Sequence, residues 1–85
     1  MSSPNTDQLL AGFAQALKRL RKDRKLSQQE LAQRAERSMQ YISLLETCRY
    51  QPTLETLVLI CSALDISLSD FASEIEREHK AIQEA

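Results

Sequence analysis

The sequence contains one glycine, two prolines and only four aromatic residues in 85 positions. Sheet proteins need Gly and Pro in the turns between strands and favour aromatic side chains within the strands, so this scarcity argues against a β-sandwich or barrel. The chain is rich instead in Leu, Ala, Gln, Glu, Lys and Arg, which are good helix formers. We therefore expect an all-α fold, arranged as one domain at this length.

Long apolar runs and export signals are also missing. The longest apolar run is Leu57–Cys61, far below the roughly 18 to 20 residues that a membrane-spanning helix needs. The first residues, MSSPNTDQ, lack the basic start and apolar stretch of a signal peptide. We therefore expect a cytoplasmic protein without membrane contact. Cys48, Cys61 and the single His79 follow no ligand spacing, so we expect reduced thiols and neither a metal nor a cofactor.

The net charge of -1 hides an asymmetry between the two halves of the chain. Residues 1–52 contain nine Lys or Arg and five acids, a balance of +4, whereas residues 53–85 contain two bases and seven acids, a balance of -5. A basic half of this kind suggests an anionic partner. An unevenly charged, solvated surface is the competing interpretation.

Apolar spacing and N-cap residues divide the chain into five helices. The start signals are a capping box at Ser27, and Ser38, Thr53 and Ser67 ahead of the third, fourth and fifth helices. The predicted helices run over about 7–24, 28–35, 39–46, 54–64 and from 68 onward. We expect a disordered segment at 1–6, a folded domain at 7–78 and a charged tail at 79–85.

Only a short connection separates the second and third helices, which predicts a steeply crossed pair with small contacts. The inner faces are predicted to carry Leu31 and Ala35 on one helix and Ile42 and Leu45 on the other. The outer side of residues 38–44 is then free to contact something else.

The fourth and fifth helices carry more apolar residues than a small core needs. A core stripe on the fourth helix is predicted from Leu54, Leu57, Cys61 and Leu64. We interpret the surplus as a homodimer interface, because a twofold contact uses one self-complementary patch. The predicted interface residues are Val58, Leu59, Phe71 and Ile75.

Several segments resemble the Xre and lambda-repressor-like helix-turn-helix family. These are KRLRKDRKLSQQELAQRA, SMQYISLLE, the start of the fourth helix at Pro52, and ALDISLSDF. The resemblance covers roughly residues 10–75. It implies a five-helix bundle that binds duplex DNA as a dimer on an inverted repeat and regulates transcription, as small stand-alone restriction-modification controllers and repressors do. Glu36 and Cys48 stand where the family often has Gly, and Arg37 stands where it often has an apolar residue.

The resemblance also assigns roles to individual residues. The third helix is the recognition helix, and its base-contacting positions are Ser38, Met39, Gln40 and Leu44. The phosphate-contacting positions are Gln28, Tyr41, Ser43, Arg49 and Tyr50, with Lys22 or Lys25 as weaker candidates. For each of these a solvated or packed side chain is the competing interpretation. Arg21 lies at the edge of the apolar stripe of the first helix and needs a partner, and the family pairs it with Glu46.

Two other functional classes compete with this one. An antitoxin or another protein-binding helical module would use the acidic, apolar-striped C-terminal part to bind a partner such as a toxin. An enzyme is the weakest alternative, because the sequence has no nucleophile beside a base, no suitably spaced carboxylate pair and no phosphate-binding loop.

Overall fold

The computed structural model of the chain describes residues 4–84, and these form five helices and no strand. This confirms the all-α prediction. The helices are α1 (Pro4–Asp23), α2 (Gln28–Arg34), α3 (Met39–Glu46), α4 (Leu54–Ala63) and α5 (Leu68–Glu84). Residues 4–6, predicted as part of a disordered segment, belong to α1, and residues 79–84, predicted as part of a charged tail, belong to α5. The rest of those two segments lies outside the described residues.

Side-chain caps define where the helices start. Ser27 Oγ accepts from the Glu30 backbone N–H at 3.0 Å, and Glu30 Oε1 accepts from the Ser27 N–H at 2.9 Å. The predicted capping box is therefore formed, and its hydrogen bond from the Ser27 N–H holds the pKa of Glu30 below its ordinary value. Ser38, Thr53 and Ser67 cap α3, α4 and α5 through hydroxyl oxygens 3.0 to 3.1 Å from a backbone nitrogen three residues later.

Each of the first four helices ends at a residue with a left-handed backbone conformation, and none of these residues is glycine. Positive φ angles between 55° and 62° occur at Lys25, Glu36, Cys48 and Asp65. Each is followed by a residue whose N–H donates to the carbonyl five residues earlier, as in Arg37 to Ala32 at 2.9 Å. This is a Schellman ending, which normally places Gly at the left-handed position. The structure thus shows a left-handed backbone at Glu36 and Cys48, where the sequence departs from the family pattern.

All five helices contribute to the core, and α1 crosses α5 on one side of it. Phe13 of α1 and Phe71 of α5 meet edge to face with ring centroids 5.9 Å apart. The one glycine permits this crossing, because a Cβ added at Gly12 would lie 3.0 Å from the His79 backbone nitrogen and 3.1 Å from the Ile75 carbonyl oxygen. His79, predicted to lie in a charged tail, is instead half-buried against α1.

The inner faces of α2 and α3 are formed as predicted. Leu31, Ala35, Ile42 and Leu45 are completely buried, and Ala32 between them is 2% exposed. Each of the two short helices thus buries one apolar stripe in the core. The other side of α3 faces away from the core.

The predicted core stripe of α4 is wrong at its first residue. Leu54 is 68% exposed, the largest exposed fraction among the exposed large apolar residues. Ile60 is completely buried instead, and Thr56 is 2% exposed. Because residues 57–61 are all apolar, spacing within α4 could not decide which face turns inward.

None of the described helices is by itself long and apolar enough to cross a membrane. The α4 and α5 helices meet these criteria of length and composition only as a pair, and they are bent by 99° relative to each other.

Candidate nucleic-acid interface

The predicted base-contacting residues lie on the outer side of α3. Ser38, Met39 and Gln40 are exposed, and Leu44 is half-buried. The side chains at 40 and 44 are neighbours on one face, since residues four apart on a helix lie one above the other. Ser38 Oγ accepts from the Tyr41 N–H at 3.0 Å, which leaves its hydroxyl hydrogen and one lone pair for other partners.

Four of the five predicted phosphate-contacting residues lie on α3 and the segment that follows it, and the fifth, Gln28, lies on α2. Tyr41 and Ser43 are half-buried, whereas Arg49 and Tyr50 are exposed. The Tyr41 and Tyr50 rings meet edge to face with centroids 6.0 Å apart, which ties the segment after α3 back to the helix. Both phenol rings are therefore restrained, and a restrained hydroxyl loses less entropy when it binds a phosphate oxygen.

A buried ion pair fixes the C-terminal end of α3. Arg21 Nε and Nη2 donate to the two Glu46 carboxylate oxygens at 2.6 and 3.1 Å, in the bidentate geometry typical of this pair. Arg21 Nη1 also donates to the Leu26 carbonyl at 2.8 Å. The structure thus places Arg21 and Glu46 together, and the two side chains are 10% and 2% exposed.

Gln28 belongs to the same cluster, which sequence reasoning did not anticipate. Its Nε2 donates to Glu46 Oε1 at 3.1 Å, so the carboxylate orients the Gln28 amide. The second amide hydrogen and the amide oxygen remain for other partners. A phosphate at the start of α2 would therefore meet a side chain that is already held in place.

Basic side chains of the N-terminal half divide into two groups. Arg19 is engaged with α5, since Nε contacts Glu78 at 2.8 Å and Nη2 contacts Glu74. These hydrogen bonds raise the pKa of Arg19, and the one from Arg19 lowers the pKa of Glu74. Within residues 4–84, the following bases form no ion pair and are exposed: Lys18, Lys22, Arg24, Lys25, Arg34 and Arg49.

The predicted dimer interface needs correction at one residue, Phe71. Phe71 is completely buried within the monomer core, and Leu59 is half-buried and packed against that core. Phe71 is unable to contact another subunit, because its ring already packs on α1. Of the four predicted residues, Val58 alone is truly exposed, at 51%, and Ile75 is half-buried.

An apolar groove lies beside Ile75. Its volume is about 500 Å³ and it runs between α1, α5 and the start of α4. We call it the α1–α5 groove, and its apolar lining consists of Leu9, Leu10, Phe13, Pro52, Leu57, Ala72 and Ile75. The exposed side chain of Leu54 stands one helical turn before Leu57, near the groove.

The family is decided by comparison with known proteins. The HTH_3 helix-turn-helix family matches residues 17–71, which include α2, α3 and all of α4. The chain belongs to this family of DNA-binding transcriptional regulators. The helix-turn-helix is therefore the unit formed by α2, the left-handed turn at Glu36, and α3.

Relatives of the helix-turn-helix chain include a phage repressor and bacterial regulators. It is 42% identical over 60 residues to an immunity repressor protein of Bacillus phage phi105; the match covers 71% of this chain and 42% of the repressor. The chain thus spans less than half the length of that relative. Among solved structures, it is similar to the clp gene regulator ClgR from Corynebacterium glutamicum, with 32% identity, a TM-score of 0.81, and coverage of 89% and 83% of the two chains.

A third relative of known structure is the restriction-modification controller protein C.AhdI from Aeromonas hydrophila. It is 29% identical to the helix-turn-helix chain, with a TM-score of 0.71, and the match covers 73% of this chain and 94% of the controller. This similarity confirms the expected resemblance to controllers and supports the all-α architecture.

Proposed function

We propose that this chain is a sequence-specific regulator that binds an inverted-repeat operator as a dimer, with α3 in the major groove of each half-site. The observation that carries the proposal is the division of α3 into two sides. Ile42 and Leu45 are completely buried, whereas Met39 and Gln40 are exposed at the N-terminal end, where recognition helices contact base edges.

Base recognition would combine two polar and two apolar side chains. Gln40 has the donor and acceptor needed for bidentate contact with an adenine edge, which contributes about 1 to 3 kcal/mol of discrimination against other bases. Met39, 52% exposed, and Leu44 would contact thymine methyl groups. Ser38 can add one hydroxyl donor.

The phosphate contacts would flank these residues on both sides. Gln28, held by Glu46, would bind on the α2 side, and Tyr41, Ser43, Arg49 and Tyr50 would bind along α3 and after it. Lys22 and Lys25 are weaker candidates for the same role. Since each phosphate contact releases counterions, log Kd should change with log salt with a slope of about 0.9 per contact.

Selection of bound duplexes from a random pool tests the proposed site. We expect an inverted repeat whose half-site centres lie about one helical turn, or 34 Å, apart. Gln40→Ala should lower affinity for the selected duplex more than for a scrambled one. The matched control is Gln83→Ala on α5, exposed and outside α3, which should change neither. Equal loss on both duplexes would remove Gln40 from base recognition.

Dimer formation would use the apolar surface outside the core. Val58 and Leu54 are exposed on α4, and Leu57 of the same helix lines the α1–α5 groove. This part of the molecule would therefore offer exposed apolar side chains and a groove to a twofold contact, in which both subunits use the same patch. Val58→Asp should shift sedimentation towards the monomer, whereas Leu68→Asp, at an exposed site at the start of α5, should not. A wild-type chain that stays monomeric at high micromolar concentration without DNA would contradict the dimer in solution.

A further inference from the structure

The turn between α2 and α3 is bonded to the start of α4 by one side chain. Arg37 Nε and Nη2 donate to Thr56 Oγ1 at 3.3 and 3.2 Å, and Nη2 reaches Glu55 Oε1 at 3.4 Å. Arg37 Nη1 donates back to the Glu36 carbonyl at 2.9 Å. The guanidinium therefore joins the turn of the helix-turn-helix to a helix outside it.

Thr56 is a fixed anchor for this contact. It is 2% exposed, its N–H donates to Thr53 Oγ1 at 3.1 Å, and its hydroxyl oxygen accepts from the Thr53 hydroxyl at 2.9 Å. A buried hydroxyl needs hydrogen-bond partners, and Arg37 supplies one. Thr56 thus connects the α4 cap to the guanidinium, because its N–H donates to the cap oxygen of Thr53 while its own Oγ1 accepts from Arg37.

The Arg37 guanidinium lies beside the first turn of α4, and specific hydrogen bonds hold it there. The N-terminus of a helix carries partial positive charge, which repels a guanidinium. The carboxylate of Glu55 offsets little of this repulsion, because its side chain is 81% exposed and the contact is long. The Arg37 side chain is 26% exposed, and its guanidinium is bonded to the buried Thr56 hydroxyl.

We infer that Arg37 is a positioning residue for the recognition helix, setting the direction in which α3 leaves the turn. Arg37 immediately precedes Ser38, the N-cap of α3, and its N–H also closes α2 at Ala32. Any change in its orientation is therefore transmitted to Met39 and Gln40, the next residues along the chain. This inference rests on the proposed function, because it assigns the purpose of the bond to DNA recognition by α3.

The experiment compares the ratio of affinities for the selected and scrambled duplexes among variants of the full chain. Arg37→Met keeps the stem and removes the guanidinium, and Thr56→Val removes only the accepting hydroxyl. Thr56→Ser retains that hydroxyl. The matched control is Arg34→Met, which removes an exposed arginine of α2 with no ion pair within residues 4–84.

A positioning role predicts that Arg37→Met and Thr56→Val each lower the affinity ratio by about tenfold, the scale of one well-oriented base contact. The double variant should be no worse than either single one, and Thr56→Ser should match the wild type. The salt slope of Arg37→Met should equal that of Arg34→Met. Thermal melts followed by circular dichroism give the temperatures at which each variant is folded, and affinities are compared only there. If Arg37→Met does not fold, Thr56→Val and Thr56→Ser test the same bond.

Two results would overturn the inference without touching the proposed function. In the first, the wild type discriminates between duplexes and Thr56→Val discriminates equally well. In the second, Arg37→Met reduces the salt slope by about one more than Arg34→Met does, which is the signature of a lost phosphate contact. A wild type that shows no preference among duplexes would instead contradict the proposed function itself.

Discussion

Breaking the Arg21–Glu46 pair from one side should destabilise the fold strongly, while replacing both partners should not. The perturbations are Arg21→Met, Glu46→Met and the double variant. Both side chains are at most 10% exposed, so each single variant leaves an ionised group with little access to water. Removing one partner of a buried pair costs about 3 to 5 kcal/mol, because the remaining charge is uncompensated.

The structure places the expected cost at the lower end of this range. In Glu46→Met the guanidinium keeps its bond to the Leu26 carbonyl, and in Arg21→Met the carboxylate keeps its bond from Gln28. We therefore expect about 3 kcal/mol for each single variant and at most about 2 kcal/mol for the double variant, in which no charge remains buried. A domain of this size has about 4 to 13 kcal/mol of total stability, so each single variant loses a large share of it.

Urea denaturation at neutral pH gives the three free energies of unfolding and hence the coupling between the two residues. In thermal melts each single variant should lose about 12 to 24 °C, from about 4 to 8 °C per kcal/mol for a domain of this size. Arg19→Met is the control, since Arg19 is 38% exposed and an exposed pair contributes about 1 kcal/mol or less. A double variant that loses the sum of the two single losses would show that the two residues are not coupled, and the reasoning would fail.

Three further outcomes follow from local geometry. Glu36→Gly and Cys48→Gly should each stabilise the chain by about 0.5 to 1 kcal/mol in urea denaturation. A non-glycine residue in the left-handed conformation costs about 1 to 2 kcal/mol, and the flexibility of Gly in the unfolded chain offsets part of the gain. Glu36→Ala is the control and should give no gain. Ser27→Ala should cost about 1 kcal/mol and Ser27→Gly only a few tenths, because the cap oxygen is lost in both but Gly is tolerated at this position; equal losses would contradict the cap. The hydrogen bond from Arg19 lowers the pKa of Glu74. The ion pair therefore stabilises the fold at pH values above the ordinary Glu pKa of 4.5, and this contribution is lost as the pH falls below that value. The difference in unfolding free energy between wild type and Glu74→Gln should shrink from pH 7 to pH 3, and a constant difference would refute the prediction.

The starts of α2 to α5 were predictable because local residues decide them. Ser27, Ser38, Thr53 and Ser67 each accept from the backbone nitrogen that a cap should satisfy. Such bonds span three residues, so their partners are visible in the sequence. For the same reason the inner faces of α2 and α3, with one short apolar stripe each, were predicted correctly.

The orientation of α4 was not predictable, because it depends on contacts distant in sequence. Its apolar residues occur on all sides, and a threonine is buried in place of Leu54. Thr56 is acceptable in the interior because Arg37, 19 residues away, donates to its hydroxyl. Phe71 was misassigned in a similar way, since the α5 stripe does not show that α1 covers it. The burial of Thr56 is therefore not visible in the sequence, because its polar partner is brought to it only by the fold.

The candidate recognition helix is held at both ends by polar bonds whose directions are fixed. An eight-residue helix is too short to be stable alone, and the apolar burial of Ile42 and Leu45 is non-directional and leaves rotation about the helix axis weakly determined. The Glu46 carboxylate at one end and the Arg37 guanidinium just before the other restrict that rotation. Because Met39 and Gln40 take no part in these bonds or in the core, substitutions there should change which duplex is bound while leaving the free energy of unfolding within about 0.5 kcal/mol of wild type. Base preference and stability are thus carried by different residues of the same helix, and a loss of stability in Gln40→Ala would show that the two are not separate.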